Sequence, residues 1–270
     1  MQNRGRIALA LLPALVLAPA LTLSLAGCGM ANTPLQVGTS LSGNWAFAPT
    51  SSNVVLDLGF MQGAYENVSA VARLNGVSCI SPTTDIQLTG SVGLDNRMML
   101  VSSPFSGTTL TLQGMVSGDG KGIAGATWTF AGGSCATLGQ ASVAATGYAA
   151  INGTYTGTFI DGSGNSIVVS ALLEQTSQPD SNGQFSLSGT ATFPSNSCFV
   201  NQPSVTTSIV TGNNLSMTYS DPAGSTTLTA VGTFNAQASQ LTITNWAISG
   251  GHCNGDAGTG SLMVQSQNLN

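Results

Sequence analysis

Apolar and polar residues alternate with a period of two along most of this 270-residue chain. Leu56, Leu58 and Phe60 take every second position, as do Ala126, Trp128 and Phe130, and again Leu241 and Ile243. Successive side chains of a strand point to opposite faces, so this pattern predicts strands with one buried and one polar face. The runs are short and end in turn chemistry such as Asp119-Gly120, Asp161-Gly162 and Asn182-Gly183, which suits tight hairpins. Strands are predicted near 41–48, 54–61, 67–74, 85–93, 97–102, 108–116, 123–131 and 140–146. A second series is predicted near 151–160, 166–174, 184–193, 204–211, 215–220, 226–234, 241–249 and 260–265. Helical periodicity is absent from the chain that follows the N-terminal apolar run. The expected fold class is therefore all-β.

The two series read as copies of one unit. Thr108-Thr109-Leu110-Thr111 recurs as Thr226-Thr227-Leu228-Thr229, and Gly114 recurs as Gly232. Trp128, Gly132, Gly133 and Cys135 recur as Trp246, Gly250, Gly251 and Cys253, every pair 118 residues apart. With one more residue of offset, Ser78-Cys79 matches Ser197-Cys198 and Ala72 matches Ala191. The openings match as well, Leu41-Ser42-Gly43-Asn44-Trp45 against Ile151-Asn152-Gly153-Thr154-Tyr155. Rare Trp and Cys residues in register mark a duplication. The units span 41–147 and 151–266. Eight short strands joined by short hairpins predict an antiparallel up-and-down meander in each, closed into a barrel-like unit that leaves no exposed edge. A sandwich per copy, or one sheet system shared by both, is the alternative. Gly43-Asn44-Trp45 resembles the Gly-x-Trp of lipocalins over three residues. The basic residue that lipocalins pack on this Trp is missing here, so no ligand binding follows from the resemblance.

The first 27 residues are of a different kind. Arg4 and Arg6 precede an apolar run, Ile7–Leu25, which ends in Leu25-Ala26-Gly27-Cys28. This is the three-part layout of a secretory signal. Its ending resembles the lipobox of bacterial lipoproteins, a family in which cleavage precedes the Cys and that Cys carries a diacylglycerol. The resemblance implies lipid attachment at Cys28, acyl chains of the palmitate type, and a tether over 28–40. It also implies a place in the bacterial cell envelope, anchored to a membrane through the Cys28 lipid. Gly29, where an Asp would imply inner-membrane retention, favours the outer membrane.

Five cysteines are an odd number, which usually signals an unpaired thiol. Lipidation of Cys28 leaves four. The repeat then selects one connectivity of three, Cys79–Cys135 and Cys198–Cys253, one bridge per copy. Both members of each pair follow odd-numbered strands of the meander and so lie at the same barrel end, as a bridge requires. An oxidising envelope compartment permits such bridges. A metal site is not expected, because there is no Cys-x-x-Cys and His252 is the sole histidine.

Charge narrows the function. Only 6% of the chain is charged. Beyond residue 27 the basic residues are Arg73, Arg97 and Lys121, against ten acids, a net charge of about −7. Nucleic-acid binding, which needs clustered Lys and Arg, is excluded. No Gly-x-Ser-x-Gly occurs, and a Ser-His-Asp triad would have to use His252, which takes the place of Ser134 in the first copy. The acids are scattered, mostly in turns, with no facing pair for glycosidase chemistry. Asp161-Gly162-Ser163-Gly164-Asn165 has the look of a calcium loop, but Leu172 stands where the bidentate Glu belongs. Trp45, Trp128 and Trp246 read as core residues before they read as a ligand pocket. No catalytic residue, cofactor or metal is expected. The reading is a non-enzymatic binding lipoprotein for a small apolar or carbohydrate ligand, held in a barrel mouth or on a sheet face. The alternatives are a structural or adhesive envelope component and a hydrolase. With acids mostly in turns, the fold is expected to respond little to pH between roughly 5.5 and 9.

Overall fold

A computed structural model describes residues 41–63, 67–194, 198–200, 203–221, 223 and 225–266. The leader, the tether and Cys28 lie outside the described residues. The first copy forms β1 (Gly43–Ala48), β2 (Val55–Gln62), β3 (Asn67–Asn75), β4 (Ile86–Val92), β5 (Arg97–Ser102), β6 (Thr109–Val116) and β7 (Ile123–Ala131). A short 3-10 turn, Ala136–Leu138, leads into β8 (Gln140–Ser142) and β9 (Ala144–Tyr148). Each of β1–β7 pairs antiparallel with its neighbour in sequence; β8 then pairs with β7, and β9 pairs with β1. Val143 joins β8 to β9 and keeps the ladder by donating its N–H to Ala126 O at 2.9 Å. β8 and β9 thus act as one eighth strand that closes the sheet into a barrel.

The second copy forms β10 (Asn152–Asp161), β11 (Ser166–Gln175), β12 (Phe185–Thr192), β13 (Ser204–Val205), β14 (Ile209–Thr211), β15 (Asn214–Asp221), β16 (Thr226–Phe234), β17 (Gln240–Ser249) and β18 (Ala257–Ser266). β18 pairs with both β17 and β10, which closes this barrel too. β13 and β14 share the space between β12 and β15. The sequence predicts one strand there, and a hydroxyl interrupts it. Ser208 Oγ accepts the Thr218 N–H at 3.0 Å, a ladder position that a backbone carbonyl would otherwise hold. The two sheets are separate, each an antiparallel up-and-down eight-stranded barrel, so neither a sandwich nor a shared sheet is formed.

The inward positions predicted from alternation fill the barrels. In the first, Trp45 meets Phe60 edge to face at 5.9 Å, and Trp128 meets Phe130 at 5.5 Å. In the second, Trp246 stacks on Phe159 at 5.7 Å and Tyr155 donates its hydroxyl to Ala238 O at 2.7 Å. All of these rings are buried, and each is worth about 1.5–3 kcal/mol relative to an exposed side chain. The three tryptophans are core residues. They occupy the space that a ligand in either barrel would need.

Cys79 is bonded to Cys135 with the Cα atoms 5.2 Å apart, and Cys198 to Cys253 at 5.5 Å. Each bridge ties the loop after the third strand of its barrel to the loop after the seventh. The repeated Thr108 and Thr226 stand beside them. Thr108 Oγ1 accepts the Cys135 N–H, and Thr226 Oγ1 donates to Cys198 O at 3.0 Å.

Candidate functional site

The outward face of β1–β3 is not uniformly wet. Strand register sets Asp57 beside Ala46 on one side and Arg73 on the other, with Asn44, Gly59 and Val71 in the next row. Asn44, Ala46, Asp57 and Val71 point away from the first core and are nevertheless buried. The second barrel covers them. Its β11–β12 turn brings Gly183 onto Gly59 and Val71, so close that a methyl group on Gly59 would overlap the Gly183 carbonyl. Its β14–β15 turn brings Gly212 onto Asp57.

Asp57 is the centre of this seam. Its side chain is carried on β2 between Leu56 and Leu58, which point inward, and only 3% of the residue is exposed. Oδ2 accepts Asn75 Nδ2 at 2.9 Å within the first barrel and Asn214 Nδ2 at 3.0 Å from the second. Oδ1 is buried with no hydrogen-bond partner. Burial raises the Asp57 pKa to about 6, and the Asn75 and Asn214 amides oppose that rise. Tyr148 titrates above its ordinary range, chiefly through burial and secondarily through the Asp57 charge. Arg73, beside Asp57 in the ladder, turns its Nε to Asp85 Oδ1 at 2.9 Å. In the amide orientation that its neighbours require, Gln184 of the second barrel accepts from Arg73 Nη1 at 2.7 Å. Asp57 therefore has amide donors but, among the described residues, no direct ion pair.

Beside this seam runs an open groove of about 530 Å³. The first barrel contributes Val55, Asp57, Arg73, Asn75 and Pro82; the second contributes Gln184 and residues of β14–β17, among them Ile209, Thr211, Asn213, Asn214, Ser216, Val231, Thr233 and Thr244. Eight of the sixteen lining residues carry amides or hydroxyls, each able to donate and accept, set in a surface that is mostly apolar. Arg73 is its one cation among the described residues.

The expectation that the acids lie mostly in solvated turns needs correction at two positions. Asp57 is buried for the reason just given. Asp221, at the end of β15, is 1% exposed and accepts the Val200 N–H at 2.6 Å and the Ala223 N–H at 3.1 Å. Glu174 is exposed but lies within β11, while at Asp161 and Asp119 the turn reading stands. Asp161 Oδ1 accepts the Ser163 and Asn165 N–H groups, both at 2.8 Å, and Oδ2 accepts Asn165 Nδ2. Those bonds, the Asn165 side chain foremost, lower its pKa and use its oxygens within a hairpin turn. Asp119 is likewise lowered, first by Ser117 and then by the Lys121 N–H. His252 is exposed beside the second bridge, and its ring nitrogen, Cys198 Sγ and Cys253 Sγ lie within 4.8 Å of one another.

Sequence reasoning missed the seam. Alternation marks Asp57, Arg73 and Asn75 only as outward-facing, and an outward position reads the same whether water or another barrel lies over it. One signal was available. Trp45 and Tyr155 are repeat partners, and the ladders place Ala46 opposite Asp57 and Thr156 opposite Ser170. An acid in one copy thus stands where the other has a serine.

No family model matches the chain, and no curated protein matches it. Among solved structures it is similar to a protein of unknown function from the DUF3598 family of Nostoc punctiforme. That match has 12% identity and a TM-score of 0.27, and it covers 83% of this chain and 94% of the other.

Proposed function

We propose that this chain is a lipid-anchored, non-catalytic binding protein of the bacterial cell envelope, and that it holds a carbohydrate-type ligand in the groove between its barrels. The observation that carries the reading is the groove lining. Asn75, Asn213, Gln184, Thr211, Ser216 and Thr244 offer paired donors and acceptors, and sugar hydroxyls need both at once. Val55, Ile209 and Val231 supply apolar surface for the C–H faces of a sugar ring. The alternative placement, inside a barrel, competes with buried Trp, Phe and Leu side chains. The leader supports the location through Leu25-Ala26-Gly27-Cys28.

A second reading, a structural or adhesive envelope component, draws on another face. Ile160, Val168, Leu172 and Met263 are exposed on β10, β11 and β18. Their ladder neighbours there are the uncharged Thr154, Thr156, Thr158 and Thr259. Native mass spectrometry of protein extracted from its own membrane separates the two readings. The binding reading expects an added mass with hexose-type increments, lost in Thr244→Trp, which fills the groove from an exposed position. Bare protein, or an adduct that Thr244→Trp leaves in place, would overturn it.

A further inference from the structure

We propose that Cys198, Cys253 and His252 form a latent site for a thiophilic d10 metal ion, Zn²⁺ or Cu⁺, which opens when the bridge between the two cysteines is reduced. Barrel closure brings together residues that the sequence keeps apart. The loop after β12 carries Cys198, the loop after β17 carries His252 and Cys253, and the three donor atoms lie within 4.8 Å of one another. Bonds of roughly 2.3 Å to sulfur and 2.0 Å to nitrogen place donors roughly 3.5–4 Å apart around such an ion. The His252 nitrogen lies within 4.8 Å of both sulfurs, and the sulfurs, bonded to each other here, must part to reach that spacing once the bridge is reduced.

While the bridge is closed its sulfurs are not ligands. A dithiol reductant opens it in a two-electron exchange: the S–S bond breaks, the reductant becomes a disulfide, and its two protons pass to Cys198 and Cys253. Metal binding then releases both thiol protons and forms two metal–sulfur bonds, with the neutral imidazole as the third ligand. Thiolate and imidazole together suit Zn²⁺ and Cu⁺ better than hard cations. Three protein ligands complete a trigonal Cu⁺ site, and around Zn²⁺ they leave a fourth position for water. His252 is exposed and Cys253 partly so, which gives reductant and metal a way in.

The first barrel is the internal control. Its bridge has the same place in the fold, but Ser134 stands where His252 stands in the second. Ser134 Oγ donates to Cys79 O at 2.9 Å, and a neutral hydroxyl is no ligand for a thiophilic ion. One chain therefore carries two equivalent bridges, and among the described residues only the second has a third donor beside it.

The test is anaerobic reduction of the full-length protein with dithiothreitol, removal of the reductant, and titration with Zn²⁺ against a chromophoric chelator. Parallel titrations use Cu⁺, and Co²⁺ as an optical stand-in for Zn²⁺. The expected result is one tight equivalent per chain, with thiolate-to-cobalt charge-transfer bands and an unchanged β-type circular dichroism spectrum. Cys79→Ser/Cys135→Ser should keep that equivalent, and Cys198→Ser/Cys253→Ser should lose it. His252→Ser, which copies the first barrel, should weaken it by at least about tenfold, since even outer-shell changes cost 10–100-fold. Ser134→His should add a second equivalent. The proposal is overturned if the reduced protein loses its sheet signal, if it takes up no metal, or if binding survives in Cys198→Ser/Cys253→Ser or is indifferent to His252→Ser.

Discussion

Asn214 donates its side-chain amide to Asp57 Oδ2 at 3.0 Å, joining two residues 157 positions apart in sequence. The bond crosses from one closed barrel to the other. It ends on a buried carboxyl whose second oxygen has no hydrogen-bond partner. The seam is thus held partly by a group that titrates, in a chain with little other charge to mask the effect.

The first expected outcome concerns pH. The Asp57 carboxyl rises from an ordinary 3.8 to about 6 in the folded chain. Below about pH 4 it is protonated in both folded and unfolded chains. Between about pH 4 and 6 the folded chain keeps a proton that the unfolded chain has lost, so stability falls as pH rises through that window and stays lower above it. The full effect is about 3 kcal/mol, of which about 1–2 kcal/mol falls between pH 5 and 8. The depressed Asp119 and Asp161 act the other way and lower down, losing their contribution as pH falls below the ordinary carboxyl range. Urea unfolding of the wild type should show the loss from pH 5 to 8, and Asp57→Asn should flatten it. A flat wild-type profile would refute the assignment.

Gly212 is the steric counterpart of Asp57. Its φ is +57°, and a Cβ would run into the Asp57 carboxylate. Gly212→Ala therefore meets both a left-handed backbone and a neighbour, and it should cost about 1–3 kcal/mol. Placing it on Asp57→Ser, the residue that the second copy has at this position, should recover at least about 0.5 kcal/mol in a double-mutant cycle. Strict additivity would mean that the two residues do not press on each other.

The repeated tryptophans offer a matched comparison. Trp246 donates its indole N–H to Thr259 O at 2.9 Å, whereas Trp128 Nε1 is buried with no hydrogen-bond partner. Both rings are almost fully buried. Trp→Phe removes similar apolar area at each site but a hydrogen bond only at Trp246. Trp246→Phe should therefore be the more destabilising by about 1 kcal/mol. Equal losses in denaturant midpoint, at unchanged slope, would contradict this.

The sequence carried the strands and their closure well, because burial inside a barrel writes itself as alternation. Leu56, Leu58 and Phe60 are read directly from it. The edges between strands were less legible where one strand is broken. A hydroxyl at Ser208 divides 204–211, and Val143 divides the closing strand while keeping its hydrogen bond. The repeat gave the cysteine pairing, since Cys79 and Cys198, like Cys135 and Cys253, are in register. It could not give the seam. Asp57, Asn75 and Asn214 are polar residues at outward positions, and the period of two does not encode what lies over them. The predicted Cys198–Cys253 bridge already sets His252 beside Cys198; the structure adds that its ring nitrogen lies within 4.8 Å of both sulfurs.

Cys28 is the anchor in the functional reading, and its test is independent of the groove. Mass spectrometry of the wild type from its own envelope should show a chain beginning at Cys28 and bearing a diacylglycerol. Cys28→Ser should leave residues 1–27 attached and the protein free of lipid. A wild-type chain that retains residues 1–27 would overturn the anchor while leaving the two barrels and their groove as they are.

The two bridges should act on the two barrels separately. Each closes a stretch within one copy, with sequence separations of 56 and 55. In the chain-entropy picture either is worth about 4 kcal/mol. Each barrel has its own closed ladder and its own buried core. The contacts between them among the described residues include Asp57 with Asn214 and Gly212, Arg73 with Gln184, the approach of Gly183 to Gly59 and Val71, and the edge-on contact of Tyr148 with Phe234 at 5.5 Å. That seam is small beside either core, so the barrels should unfold in separable steps. Calorimetry of Cys79→Ala/Cys135→Ala should lower one transition by at least about 10 °C and leave the other near its wild-type position. Cys198→Ala/Cys253→Ala should do the converse. If either double variant moved both transitions together, the seam would have to couple the barrels far more strongly than its contacts allow.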